Sequence, residues 1–338
     1  MIGTGVVLWL IFFLGRGYGG NRYGFLTIAL EVAGMHWMGS LFLVAVGLFI
    51  ADLACGFGFL FHKSAHRIRT LGLAFGLILV FVAHVQGLRP PAIERHEVVI
   101  KGLPDELDGT TIAVMADLHA GEVMVGSRWL KARIDQLRAL QPDFIVLAGD
   151  LFERSSDPEE MEPIMQQLSA PLGVWAVRGN HDSLRADRRD VTGEIIAGAG
   201  IRLLANEWVK MPGGLVIAGI DDLTSSRRCP GEGETNLDQA LINRPPGPTI
   251  FLSHTPWMAD RAAAAGVDIM LSGHTHNGQI WPFNYLVRTR YPFVGGRYDI
   301  DGMTLIVSRG TGTWGPRMRL FAPGEISHIT LRTHMPSE

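Results

Sequence analysis

The chain changes character near residue 92. Before that point, apolar residues run together with almost no polar interruption; after it, short apolar runs alternate with amphipathic stretches. Residues 41–61, LFLVAVGLFIADLACGFGFLF, carry one charge, Asp52, and are long enough to cross a bilayer as a helix. Residues 71–86, LGLAFGLILVFVAHVQ, form a second, uncharged run, and residues 5–14, GVVLWLIFFL, a third that is short on its own. Residues 25–37, which contain Glu31 and His36, read as a partial or interfacial span. Arg89-Pro90-Pro91 then breaks any helix. The expected division is a transmembrane anchor region over 1–91 and a catalytic domain over 92–338.

From residue 111 the rhythm is that of strands alternating with helices. TTIAVMA, DFIVLAG, GVWAVRG, GLVIAG, TIFLS and VDIMLS are short, apolar and rich in strand formers. Between them, SRWLKARIDQLRAL places Leu130, Ile134 and Leu137 on one helical face, with Ser127 as the expected cap. DPEEMEPIMQQL opens with Asp157 as cap and Pro158 at the first helical position. WMADRAAAAG reads as a helix ended by Gly266. This alternation predicts an α/β layered domain.

Composition sharpens the division. Of 338 residues, 47% are hydrophobic and 19% charged, and the apolar excess lies at the front. The formal net charge of −3, with no long basic run, gives no reason to expect nucleic acid as a partner. The two cysteines, Cys55 and Cys229, are too few for a thiolate zinc site and lie in unlike surroundings, so no disulfide is expected. Lys63, Arg67 and Arg69 fall between the two long runs, and short basic loops stay cytoplasmic. One further crossing places the domain after residue 90 outside the cytoplasm, as in a multi-pass protein of the cytoplasmic membrane with a periplasmic or extracellular catalytic domain. Arg16 and Arg22 make the opposing claim one span earlier; the partial span at 25–37 is the expected reconciliation.

The chemistry stands at the strand ends. TIAVMA is followed by Asp117-Leu-His119, FIVLA by Gly149-Asp150, VWAVR by Gly179-Asn180-His181-Asp182, TIFLS by His254, and DIMLS by Gly273-His274-Thr275-His276. In α/β sheets, ligands gather beyond the carboxyl ends of strands. Carboxylates and imidazoles in one region suit borderline or hard divalent metals. Asp117, His119, Asp150, Asn180, His254, His274 and His276 are more donors than one tetrahedral site needs. A bridging carboxylate would divide them into two sites of four. There is no Gly-x-Ser-x-Gly elbow and no Gly-x-x-x-x-Gly-Lys phosphate loop.

The ordered set D-L-H, G-D, G-N-H-D, S-H-T-P and G-H-T-H resembles the calcineurin-like metallophosphoesterase family over about residues 95–335. G-H-T-H-N-G-Q-I behind apolar runs is similar to its membrane-associated bacterial branch. The resemblance implies a four-layer sandwich, two mixed sheets flanked by helices, preceded here by transmembrane helices. It implies two divalent metal ions (Mn, Fe, Zn or Co). Asp117, His119, Asp150 and His276 would hold one, and Asp150, Asn180, His254 and His274 the other. His181 would lie beside the phosphate, oriented by Asp182, and a metal-bridging hydroxide would attack phosphorus. The Gly-Asp segment runs Asp150-Leu-Phe-Glu153 where the family's protein phosphatases continue to an Arg. The expected substrate is accordingly a phosphodiester of the envelope, or one linked to a lipid, with the aromatic stretch Trp281-Pro-Phe283-Asn-Tyr285 and Tyr291-Pro-Phe293 at the membrane interface. A phosphomonoesterase of soluble substrates, and a membrane scaffold without catalysis, are the competing expectations.

Overall fold

The computed structural model describes residues 25–121, 125–153, 156–182, 189–226 and 232–334. They fall into two compact units. One is the chain up to Arg89 together with Trp314–Pro323; the other is Pro90–Thr313 with the chain from Gly324 onward. The excursion of Trp314–Pro323 into the first unit has no counterpart in the expected division at residue 92.

The first unit is a hairpin of two helices, α1 (Phe25–Ala54) and α2 (Ala65–Leu88). Both are long and apolar enough to cross a membrane. They correct the expected span boundaries. The run at 41–61 is not one helix, because the chain turns at Gly56 and Gly58, both at positive φ. Residues 25–37 are no separate partial span; they continue into α1 without a break. The apolar run at 5–14, with Arg16 and Arg22, lies outside the described residues.

Glycine sets how the two helices meet. A Cβ on Gly76 would lie 2.8 Å from the Cα of Val44, and one on Gly72 would lie 2.5 Å from the Cβ of Ala51. Small residues at such a crossing let backbones approach, the main source of association between helices in lipid. At the turn end, Asp52 pairs with Arg69 (Nε to Oδ1, 2.7 Å), so the one charge of the first apolar run is matched. The outward faces carry Phe49, Ile50, Leu53, Leu71, Leu77 and Phe81, each exposed.

The second unit holds two six-stranded mixed sheets. The first is built from β1 (Ala92–Val99), β2 (Thr111–Met115), β3 (Phe144–Ala148), β4 (Val174–Val177), β5 (Arg202–Leu203) and β12 (Glu325–Arg332), in the order β1-β12-β2-β3-β4-β5. Strands β2 to β5 are parallel, and β12 runs antiparallel to β2. The second is built from β6 (Glu207–Lys210), β7 (Val216–Gly219), β8 (Thr249–Leu252), β9 (Ile269–Ser272), β10 (Gly296–Ile300) and β11 (Met303–Val307), in the order β10-β11-β9-β8-β7-β6. Its central strands β7, β8, β9 and β11 are parallel.

Ile112, Val114, Phe144 and Val146 from the first sheet pack with Ile217, Ile250, Leu252 and Ile269 from the second to form the central core. The outer face of the first sheet is covered by α3 (Ser127–Arg138), α4 (Pro158–Met165) and α5 (Val191–Gly198). That of the second is covered by α6 (Glu232–Leu241) and α7 (Ala259–Ala264). Strands buried on both faces read as continuous apolar runs, which is why β3, β7, β8 and β9 stand out in the sequence. Helix α3 buries the expected Leu130, Ile134 and Leu137, but Gly126 is its cap and Ser127 its first residue. Asp157 caps α4 as expected, accepting from Glu159 N.

The glycine crossing is testable by comparison with an open glycine. Gly76→Ala overpacks the hairpin, and such changes cost about 1–3 kcal/mol. Gly126 has no atom near its would-be Cβ. The full chain in detergent should therefore lose several degrees of thermal midpoint with Gly76→Ala and less with Gly126→Ala, where only the poorer capping by Ala acts. Equal midpoints for the two variants would contradict the crossing.

Candidate metal centre

The seven predicted donors come together at the carboxyl ends of β2, β3, β4, β8 and β9. Around Asp117, His119 and His276, the Nε2 atoms of the two imidazoles are 3.2 Å apart, and His276 Nε2 is 3.4 Å from Asp117 Oδ1. Around Asn180, His254 and His274, His254 Nε2 lies 3.2 Å from Asn180 Oδ1 and 3.2 Å from His274 Nδ1. Asp150 stands between the groups: its Oδ2 is 3.8 Å from His119 Nε2 and 3.2 Å from His254 Nε2. Asp117, His119, Asp150 and His254 are all but fully buried.

The backbone bends sharply to bring these side chains inward. Asp117, His119, Asp150, His274 and His276 all have left-handed φ, between 47° and 73°. Each such residue costs roughly 1–2 kcal/mol, and such strain clusters at functional sites. Gly179 is required here by space: a Cβ would overlap the Asp150 carboxylate.

The outward nitrogens of three of these imidazoles are tied down. His254 Nδ1 donates to the Ala148 carbonyl at 2.9 Å, which leaves its Nε2 as a lone pair. His119 Nδ1 donates to Glu153 Oε1 at 2.7 Å, with the same result. His274 Nε2 meets the Tyr291 hydroxyl at 2.6 Å, with Nδ1 facing inward. Outer partners of this kind fix the tautomer of a metal-ligating histidine. The lone pair of His254 thus points at a carboxylate oxygen, an amide oxygen and another ring nitrogen. Only a cation among these atoms relieves their repulsion, so the residues present fit divalent metal.

Without metal, the proton is that cation. Burial pushes His254 and His119 down, but the Asp150 carboxylate beside the first, and the Glu153 hydrogen bond with Asp150 for the second, outweigh it; they rise to about 10 and about 9. His274 goes the other way, to about 4, through burial and the neighbouring His254 charge.

His181 lies beside the cluster, half-buried. Its backbone N–H donates to Asp150 Oδ1 at 2.8 Å, and its Nδ1 pairs with Glu153 Oε1 at 2.7 Å. This corrects the role expected for Asp182. That carboxylate accepts from Leu151 N, Phe152 N, Gly179 N and Thr192 Oγ1, so it braces the Gly-Asp loop from behind. Glu153 is the carboxylate that orients His181, and one of its oxygens serves His119 as well. Burial pushes Glu153 up, yet the two imidazole hydrogen bonds hold it near 2. The sequence does not single Glu153 out, since it opens the polar stretch Glu153-Arg-Ser-Ser-Asp157 three residues after Asp150.

Arg178, beside the Gly-Asn-His-Asp segment, pairs with Asp190 at 2.6 Å and with Asp221 at 3.9 Å. The aromatic stretch divides. Tyr291 stacks on Trp257 and holds His274, and Phe293 packs on the core, whereas Phe283, Tyr285 and Leu286 on α8 (Phe283–Arg288) are exposed.

A sequence profile of the calcineurin-like phosphoesterases matches residues 110–278, half of the chain and all seven donors. The chain belongs to this family. It is similar to a transmembrane protein with metallophosphoesterase domain of Danio rerio, 33% identical over 80% of this chain and 64% of that protein. It spans less than two thirds of that relative's length. A metallophosphoesterase of Aquifex aeolicus is 30% identical over 71% of this chain and 91% of its own length. Among solved structures, TT1561 of Thermus thermophilus aligns with 60% of this chain and 90% of that one, at 13% identity and a TM-score of 0.39.

The electrostatics predict proton release. At pH 7.5, His119 and His254 are protonated in the metal-free protein because their pKa values lie above that pH, while His274 is already neutral. A metal requires neutral imidazole. Adding manganese to metal-free protein in weak buffer should release about one proton per ion bound, and affinity should weaken as pH falls. Binding with no proton release would contradict the arrangement.

Proposed function

We propose that the chain is a membrane-anchored hydrolase of phosphate esters that uses two divalent metals. Asp117, His119, Asp150 and His276 hold one ion; Asp150, Asn180, His254 and His274 hold the other. The observation that carries the reading is the position of Asp150 Oδ2, facing His119 on one side and His254 on the other. When bound, such a pair supplies hydroxide at neutral pH and neutralises phosphoryl charge. His181 is the acid for the leaving oxygen. Burial pushes its pKa down, but the Glu153 hydrogen bond and the Asp150 charge prevail and raise it, which favours the protonated ring that an acid requires. Glu153 orients that ring.

The membrane reading is supported by α1 and α2, whose exposed apolar faces would be costly in water. A lipid-linked ester is supported by exposed Phe283, Tyr285 and Leu286, since α8 packs directly on the turn after His276: a Cβ on Gly278 would lie 2.5 Å from the Asn284 Cα. The Gly-Asp segment does not distinguish the chain from a protein phosphatase, because Arg154 directly follows Glu153. It lies outside the described residues.

Two variants separate the roles. Asp150→Ala should lose most of its bound metal and nearly all turnover. His181→Ala should keep both metals and lose about a hundred- to ten-thousandfold in turnover, the usual contribution of a general acid. Loss of metal in His181→Ala, or full metal and turnover in Asp150→Ala, would overturn the assignment. The substrate class follows from assaying wild type on soluble aryl monoesters and diesters and on a lipid-linked diester in the same detergent. The lipid-linked diester should be hydrolysed fastest, and equal or slower turnover would remove the lipid reading.

The basic residues Lys63, Arg67 and Arg69 around the α1–α2 turn favour the cytoplasm, so Pro90 onward is assigned to the outer face. With 25–37 absorbed into α1, Arg16 and Arg22 oppose this without reconciliation. A reporter fused after residue 338 should be active only if it works outside the cytoplasm; activity of a cytoplasm-only reporter would reverse the assignment.

A further inference from the structure

The ten residues Trp314–Pro323, WGPRMRLFAP, leave the catalytic unit between β11 and β12 and pack with the helical hairpin. Resting on the membrane reading of α1 and α2, we propose that they form a third membrane-contacting element, a finger seated at the headgroup level of a phospholipid bilayer.

Its seat is built into both helices. Arg319 N donates to the Ala83 carbonyl at 2.9 Å, and Phe321 N donates to Gln86 Oε1 at 3.0 Å. Gly87 makes room for the finger's backbone, since a Cβ there would overlap the Arg317 carbonyl. On α1, a Cβ at Gly39 would come within 2.9 Å of Met318 Sδ. Met318 and Leu320 are fully buried; Arg319, also buried, turns its guanidinium back onto the Ala322 carbonyl at 2.8 Å.

The level follows from where these contacts fall. Ala83, Gln86 and Gly87 occupy the end of α2, roughly 2–8 Å along the axis from Leu88 at the helical rise. That is the depth at which a spanning helix leaves the hydrocarbon. Trp314 and Phe321, at the two ends of the finger, are 48% and 61% exposed. Aromatic rings beside a helix end at this level are the usual anchors of the membrane interface.

The test uses the full chain in phosphatidylcholine vesicles, with Cys55 and Cys229 replaced by alanine. A single fluorescent label is placed through Trp314→Cys, Phe321→Cys, Phe81→Cys or Ile242→Cys, and retained phosphoesterase activity confirms folding. Phe81 is on the outward face of α2, and Ile242 is exposed on the catalytic unit. Lipids with a nitroxide near the headgroup should quench the labels at 314 and 321 strongly, and more than lipids with the nitroxide near the chain end. The label at 242 should be unaffected. Labels at 314 and 321 that behave like the one at 242, while 81 is quenched, overturn the finger and leave the hairpin in the membrane. An unquenched label at 81 overturns both.

Discussion

The second unit is organised around an electrostatic problem, the convergence of lone pairs on Asp150. A carboxylate oxygen, two imidazole nitrogens and an amide oxygen face one another at little more than 3 Å, in a site that excludes water from most of its donors. Such a cluster is stable only with cations in it. The surrounding features serve this requirement. Left-handed turns after β2, β3 and β9 spend backbone energy to aim the side chains inward. Gly179 vacates the volume that the Asp150 carboxylate fills. Ala148, Glu153 and Tyr291 hold the far sides of His254, His119 and His274 so that their near sides cannot turn away. Asp182 ties the Gly-Asp and Gly-Asn loops to each other and to α5 by accepting from Leu151, Phe152, Gly179 and Thr192. The sandwich provides the rigidity that makes such strain tolerable, with apolar strands packed face to face beneath the site.

Glu153 gives the site its internal coupling. One oxygen accepts from His119, a proposed ligand, and from His181, the proposed acid. A charge change at His119 is therefore felt at His181 through a single carboxylate. The helical unit solves a different problem. Close packing at Gly72 and Gly76 holds α1 and α2 together, the device that the proposed lipid setting requires, and Gly39 and Gly87 admit Trp314–Pro323 in the same way.

Much of this was legible in the sequence, for identifiable reasons. Strands buried on both faces appear as unbroken apolar runs, and each delivers its polar residue immediately afterwards; β2, β3, β4, β8 and β9 were readable with their donors on that ground. The strands that escaped, β1, β5, β6, β10, β11 and β12, are edge, short or half-exposed, or lack a donor to draw attention. The Asp301-Gly302 turn between β10 and β11, with both residues at positive φ, was the one strong local signal among them. The extent of α1 was misread because Gly34 and Glu31 interrupt its hydropathy without interrupting its helix. Asp182 was assigned by adjacency to His181, whereas neighbours in sequence after a strand point in different directions. Glu153 and Tyr291 reach the site from separate loops, so no local pattern marks them. The clasp of Trp314–Pro323 depends on a contact between segments more than two hundred residues apart, which no local pattern reveals.

The central claim is that Asp150 stands between two metal ions. Its most direct test is anomalous X-ray scattering from crystals of the full chain grown with manganese. Two peaks are predicted, one beside Asp117, His119 and His276 and one beside Asn180, His254 and His274, with the Asp150 carboxylate touching both. A single peak, or two peaks that Asp150 does not join, would contradict it.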